Sequence, residues 1–180
     1  MLRRLVADFS VIPSAVDEQL DAGPLATAVA RLAERKARAV ASSLGAGVVL
    51  GADTIVAIDG DALGKPVDPA DARAMLTRLR GRSHEVLTGV AVIAVAGGRA
   101  WSATEVSRVV MARYPEEVID DYVASGSPLD KAGGYAVQEL GGALVDGVIG
   151  SYTNVIGLPL RLTARLLIEA GVSVTGPAWS

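Results

Sequence analysis

Residues 51–66, Gly-Ala-Asp-Thr-Ile-Val-Ala-Ile-Asp-Gly-Asp-Ala-Leu-Gly-Lys-Pro, leave this chain few choices of fold. Val48, Val49, Leu50, Ile55, Val56 and Ile58 form a near-continuous bulky apolar run. That is the pattern of a strand covered on both faces. Asp53 interrupts it. A buried carboxylate is costly unless it is paired, hydrogen-bonded or bound to metal. Asp59-Gly60 then signals a two-residue hairpin. The return carries Lys65, between Gly64 and Pro66, back beside the strand. One short unit can thus present an acid and a base to one cleft.

The chain has 180 residues, enough for one good-sized core, and we expect a single domain over 1–180. Hydrophobic residues make up 51% and aromatics only 4%, so Ala, Val and Leu must fill that core. No apolar run reaches the roughly 18 residues of a membrane span, so no membrane partner is expected. The first residues lack the architecture of a secretion signal. Cysteine is absent, which excludes disulfides, thiolate metal sites and cysteine nucleophiles and fits a cytoplasmic location. A net charge of −3 argues against a nucleic-acid partner. With one histidine, any metal must be held mainly by oxygen, which suits Mg²⁺ or Mn²⁺.

Phe9 and Val11 alternate weakly, as in a short edge strand stopped by Pro13. Asp17 and Glu18 read as solvated turn carboxylates. A helix is expected from residue 23 to about 43, with Leu25, Val29, Leu32, Ala33 and Val40 on one stripe. Lys36 lies on that stripe. It either snorkels along the core edge or projects a cation into a cleft.

Asp68-Pro69 reads as an N-cap and first turn, and Gly81 as the stop of that helix. Arg73, Arg78, Arg80 and Arg82 cluster on it, mostly as a solvated face. Residues 84–95 and 100–111 form an antiparallel pair turned at Gly97-Gly98. His84, at the start of that pair, reads as a structural or surface residue, with no partner marked nearby. A helix over 115–124 precedes a charged, then Gly-rich loop, 128–134, that leads into a strand. Its glycines let backbone N–H groups approach an anion, and Lys131 adds charge. Residues 144–151 read as a last hairpin, 159–170 as an amphipathic helix, and 172–180 as a loosely held tail. The order is mixed α and β with at least two antiparallel pairs, not a doubly wound parallel sheet.

Five segments, Gly51-Ala52-Asp53-Thr54, Gly64-Lys65-Pro66, residues 83–90, residues 128–135 and residues 152–159, together resemble the Maf family of nucleoside triphosphate pyrophosphatases. The match runs co-linearly from about residue 9 to 170. The resemblance implies an α/β fold like that of the inosine-triphosphate pyrophosphatases: a twisted mixed sheet flanked by helices, two lobes around a cleft. It implies hydrolysis of a nucleoside triphosphate to the monophosphate and pyrophosphate with Mg²⁺ or Mn²⁺, in a homodimer. Asp53 matches the proton acceptor, and Glu18, Lys36, Lys65 and Gln138 match further functional positions. Thr54 and Gln138 fall where nucleotide choice is set, and this pair resembles the dTTP/UTP branch.

Chemistry accepts that assignment. A triphosphate must be neutralised and held in line for attack by water, which Lys36, Lys65 and Lys131 can do in part. Glu18 and Asp53 can bind the metal, or one of them can deprotonate the water. Gln138 offers a donor and an acceptor to a pyrimidine edge. The family also opens with a strand and a Ser-x-Ser-Pro-Arg-Arg phosphate loop ending in Leu-Leu, and Met1-Leu2 align with that pair. The resemblance therefore implies a protein that starts upstream of Met1. The alternative is an impaired form that binds nucleotides or regulates division without hydrolysis.

Overall fold

A computed structural model describes residues 1–176. The elements run in the order α1 (Leu25–Ala41), β1 (Val48–Ile58), β2 (Asp61–Leu63), α2 (Pro69–Leu79), β3 (Ser83–Ala94), β4 (Ala100–Met111), α3 (Glu116–Ala124), β5 (Val145–Ile149), α4 (Tyr152–Val155) and α5 (Leu160–Glu169). The fold is mixed α/β. Its five strands form one sheet in the order β2-β1-β3-β4-β5. β1 and β2 pair antiparallel, with Ile58 opposite Asp61, and β4 pairs antiparallel with β5.

Contacts divide the chain into two compact units. The first comprises Met1–Asp53, Thr88–Glu105 and the described residues from Gly157. In it, α1 buries Val29, Leu32, Ala33 and Ala37, while Val90 and Val92 of β3 pack with Leu162, Leu166 and Leu167 of α5. Two glycines set how closely α1 lies on its strands. A Cβ on Gly89 would sit 2.4 Å from the Val29 carbonyl oxygen, and one on Gly51 2.5 Å from that of Ala33. Either is closer than packed atoms come, so only a residue without a side chain fits.

The second unit comprises Thr54–Leu87 and Val106–Ile156. Its core joins Val56 and Ile58 of β1, Leu76 and Leu79 of α2, Met111 of β4 and Ile119 of α3. Local chemistry accounts for its turns. Asp59 and Gly60 take φ of 56° and 86°, the doubly positive pair of a tight hairpin. The Asp68 carboxylate accepts the Asp71 N–H at 2.8 Å, capping α2 ahead of Pro69. Gly81, at φ 66°, follows the end of that helix.

Four expectations need correction. No strand forms at Phe9–Val11; that stretch is irregular, and Val11 is exposed. Residues 135–138 are not a strand, because 3-10 turns at Ala132–Gly134 and Leu140–Leu144 take up the chain there. The residues read as a last hairpin supply one strand, β5, which pairs with the sequence-distant β4 instead. Of the tail, residues 177–180 lie outside the described part. Residues 172–176 are held: Val172 and Val174 pack on the α5 core, and the Thr175 N–H donates to the Leu5 carbonyl at 2.9 Å.

Candidate functional site

The first unit brings three of the expected residues together. Gly51 and Asp53 lie two apart on β1 and so share a face. Because Gly51 admits the backbone of α1, Lys36, one residue before the buried Ala37, reaches Asp53. The Lys36 ammonium donates to Asp53 Oδ1 at 2.6 Å and to Glu18 Oε1 at 2.7 Å. This decides the reading of Lys36: its head is aimed at two carboxylates. It also removes the conflict at Asp53, whose partly buried charge is paired. The side chains of Lys36 and Asp53 are each 15% exposed, that of Glu18 66%. Burial draws the Lys36 ammonium down, but hydrogen bonds and charge from Asp53 and Glu18 outweigh it, so the pKa is raised. Lys36 is a fixed cation at neutral pH. It also lines a cavity of about 700 Å³, otherwise walled mainly by apolar residues such as Phe9, Val40, Leu50 and Leu167. That volume is in the range of small-molecule pockets.

The other expected residues belong to the second unit, Thr54 as a half-buried position of β1. Lys65 is exposed on the return after β2 and makes no ion pair among the described residues. Lys131 bonds Asp130 at 2.6 Å and lies 3.7 Å from Glu139. The hydrogen bond from Lys131 lowers the Asp130 carboxyl, with the charge of Lys65 adding to it. The backbones carrying these lysines are joined: the Gly133 N–H donates to the Gly64 carbonyl at 2.9 Å. Gly133 takes φ 70°, and a Cβ there would come within 3.0 Å of the Val56 side chain. Gly-Gly therefore serves a close approach here as well as a turn. Gln138 is exposed, with no hydrogen bond to another described residue.

The arginine cluster is engaged with nearby acids. Arg78 meets Asp61 and Asp59, Arg82 meets Asp59, and Arg73 meets Glu116 and Asp120. His84 is buried and bonds Tyr135, a partner fifty-one residues away that no local pattern could mark. Ser107 and Asn154, both buried, form a second polar cluster with the half-buried Ser151, in which Asn154 Nδ2 donates to the Val86 carbonyl at 2.9 Å and to Ser107 Oγ at 3.0 Å. The Ser151 Oγ also accepts the Asn154 N–H at 3.2 Å, capping α4.

The family model described as Maf-like protein matches residues 1–170. A dTTP/UTP pyrophosphatase of Symbiobacterium thermophilum is 47% identical over 180 residues, covering 99% of this chain and 92% of that protein. One from Moorella thermoacetica is 45% identical, with 98% and 91% covered. One from Anaeromyxobacter dehalogenans is 48% identical, with 95% and 88% covered.

Proposed function

The chain belongs to the Maf family, and from that premise we propose that it hydrolyses dTTP, UTP and modified pyrimidine nucleoside triphosphates to the monophosphate and pyrophosphate. It is a nucleoside triphosphate pyrophosphatase that clears unwanted nucleotides from the pool. The observation that carries this reading is the Lys36 ammonium held between Glu18 and Asp53 in a chain matched along 170 residues.

In the reaction, water attacks the α-phosphorus and the bond to the α–β bridging oxygen breaks. That oxygen leaves with pyrophosphate. Asp53 takes the proton of the attacking water. Lys36 can turn from the carboxylates to a phosphate oxygen as the triphosphate arrives, which frees Asp53 for that role. Lys65 and Lys131 bind phosphate oxygens, and Gln138 and Thr54 read the pyrimidine.

Glu18 and Asp53 fit Mg²⁺ or Mn²⁺ as the reaction's metal. Both carboxylates converge on one point, the Lys36 ammonium. Mg²⁺ takes one or two carboxylates from a protein and completes its shell with phosphates and water. Among the described residues no group of three or more acidic or histidine side chains forms a cage. When bound, the metal neutralises charge on the phosphates.

We further propose a homodimer in the cytoplasm with no nucleic-acid or membrane partner. The support is the resemblance, the absence of cysteine and the pairing of the arginine cluster with acids. No helix among the described residues is long and apolar enough to cross a membrane. Mass measurement in solution tests the dimer. Asp53→Asn tests the site: turnover is lost while the fold is kept, and retained turnover removes Asp53 from its role.

A further inference from the structure

The loop that carries Lys131 is rich in glycine, and glycine gives it no stiffness of its own. Gly133 and Gly134 take φ of 70° and 75°. The next residue, Tyr135, is a rigid anchor. It is 6% exposed and stands edge-on to the imidazole of His84, itself 3% exposed on β3, with ring centroids 5.4 Å apart and planes at 82°. His84 Nε2 and the Tyr135 hydroxyl are 2.6 Å apart.

The chemistry of this pair is unusual for a packing contact. His84 Nδ1 is buried and has no hydrogen-bond partner among the described residues. Burial lowers the His84 pKa to about 4, so the ring is neutral at pH 7. A neutral imidazole carries one N–H. If Nε2 held it, both the Tyr135 O–H and the Nδ1 lone pair would lack partners. If Nδ1 holds it, Tyr135 donates to Nε2 and only one N–H is left over. The second arrangement orphans fewer buried groups. A Phe and Leu pair would fill the same space without an orphaned atom. A polar pair retained at that cost fixes direction, which an apolar contact does not.

We infer that His84 is a positioning residue: through Tyr135 it fixes the Lys131–Gly134 loop, and with it the phosphate-holding lysines. The loop is pinned at two places. The Gly133 N–H is bonded to Gly64, next to Lys65, and Tyr135 is bonded to His84. Lys131 is four residues before the second pin and two before the first. The role in substrate binding rests on the function proposed above; the mechanical role does not.

The test uses the full chain and the variants Tyr135→Phe, His84→Leu and His84→Gln. Glutamine is the conservative variant, since its amide oxygen can accept the Tyr135 O–H where Nε2 does. Three readouts are taken: exchange of the Gly133 amide hydrogen by NMR, KM and kcat for dTTP, and Tm. Expected for Tyr135→Phe and His84→Leu are faster exchange at Gly133 and a KM raised about tenfold, with kcat within about threefold. His84→Gln returns both toward the parent. A lowered Tm with unchanged Gly133 exchange and unchanged KM would show a merely structural pair and overturn the inference. If the parent chain does not turn over dTTP, the proposed function fails. Gly133 exchange then decides the pinning by itself.

Discussion

Lys36 Nζ lies 2.6 Å from Asp53 Oδ1, a contact between a helix and a strand that a single glycine makes room for. The pair is largely shielded from water, and Glu18 completes it from the exposed side. An acid that reads as a misfit in an apolar strand is thus one partner of a largely shielded ion pair.

Replacing Gly51 tests how that contact is built. Gly51→Ala forces a Cβ to within 2.5 Å of the Ala33 carbonyl oxygen, so α1 must move off β1. The expected cost is about 1–3 kcal/mol of stability, as for other overpacked sites. Gly89→Ala meets the Val29 backbone at 2.4 Å and costs a similar amount. Only Gly51 lies two residues from Asp53, so Gly51→Ala lowers kcat further than Gly89→Ala does. Chemical denaturation and steady-state kinetics on both variants check this.

Removing charge at the pair separates its members. Asp53→Asn keeps the shape and removes the proposed base, and kcat is expected to fall by about 10²–10⁴. Lys36→Met leaves Asp53 and Glu18 near one another without their shared cation. That variant loses both activity and stability, whereas Asp53→Asn keeps its Tm within a few degrees. Equal loss of Tm in the two would contradict the separate roles.

His84 makes stability depend on pH in a stated direction. Its pKa is about 4 in the folded chain against 6.5 ordinarily, because burial disfavours the charged ring. The unfolded chain therefore binds a proton here before the folded chain does. Stability contributed by the neutral ring is complete above about 6.5 and is lost as pH falls toward 4. At full effect the difference is worth about 3 kcal/mol. His84→Gln, which does not titrate, shows a shallower loss over that window in urea titrations. Parallel curves for the two proteins would place the titrating group elsewhere.

The role proposed for Gln138 is in nucleotide choice. It is exposed and makes no hydrogen bond to another described residue. Gln138→Ala raises KM for dTTP and UTP about tenfold or more, while CTP and GTP change little. On the proposed metal dependence, chelation is expected to abolish turnover in the parent chain, and Mg²⁺ or Mn²⁺ to restore it.

Sequence made legible the features that neighbours in the chain decide. Asp59-Gly60 announced its hairpin because both residues tolerate positive φ. Asp68 announced its cap because its carboxylate reaches an N–H three residues on. Asp53 stood out because a charge in an apolar run needs a partner. The partner did not stand out: Glu18, Lys36 and Asp53 meet across seventeen or more residues, and only the packing of α1 on Gly51 joins them. The same holds for β5, which looked like half of a local hairpin and pairs with β4. Phe9 and Val11 alternate as a strand does, yet alternation has no effect where no ladder accepts it. His84 showed no partner in sequence because Tyr135 arrives only after two glycine turns.

The most direct measurement is pyrophosphate release by this 180-residue chain with Mg²⁺, over dTTP, UTP, CTP, GTP and 7-methyl-GTP. Turnover of dTTP and UTP above the others is expected, lost on chelation and lost in Asp53→Asn. A folded parent chain that binds these nucleotides and releases no pyrophosphate from any of them would contradict the proposed activity.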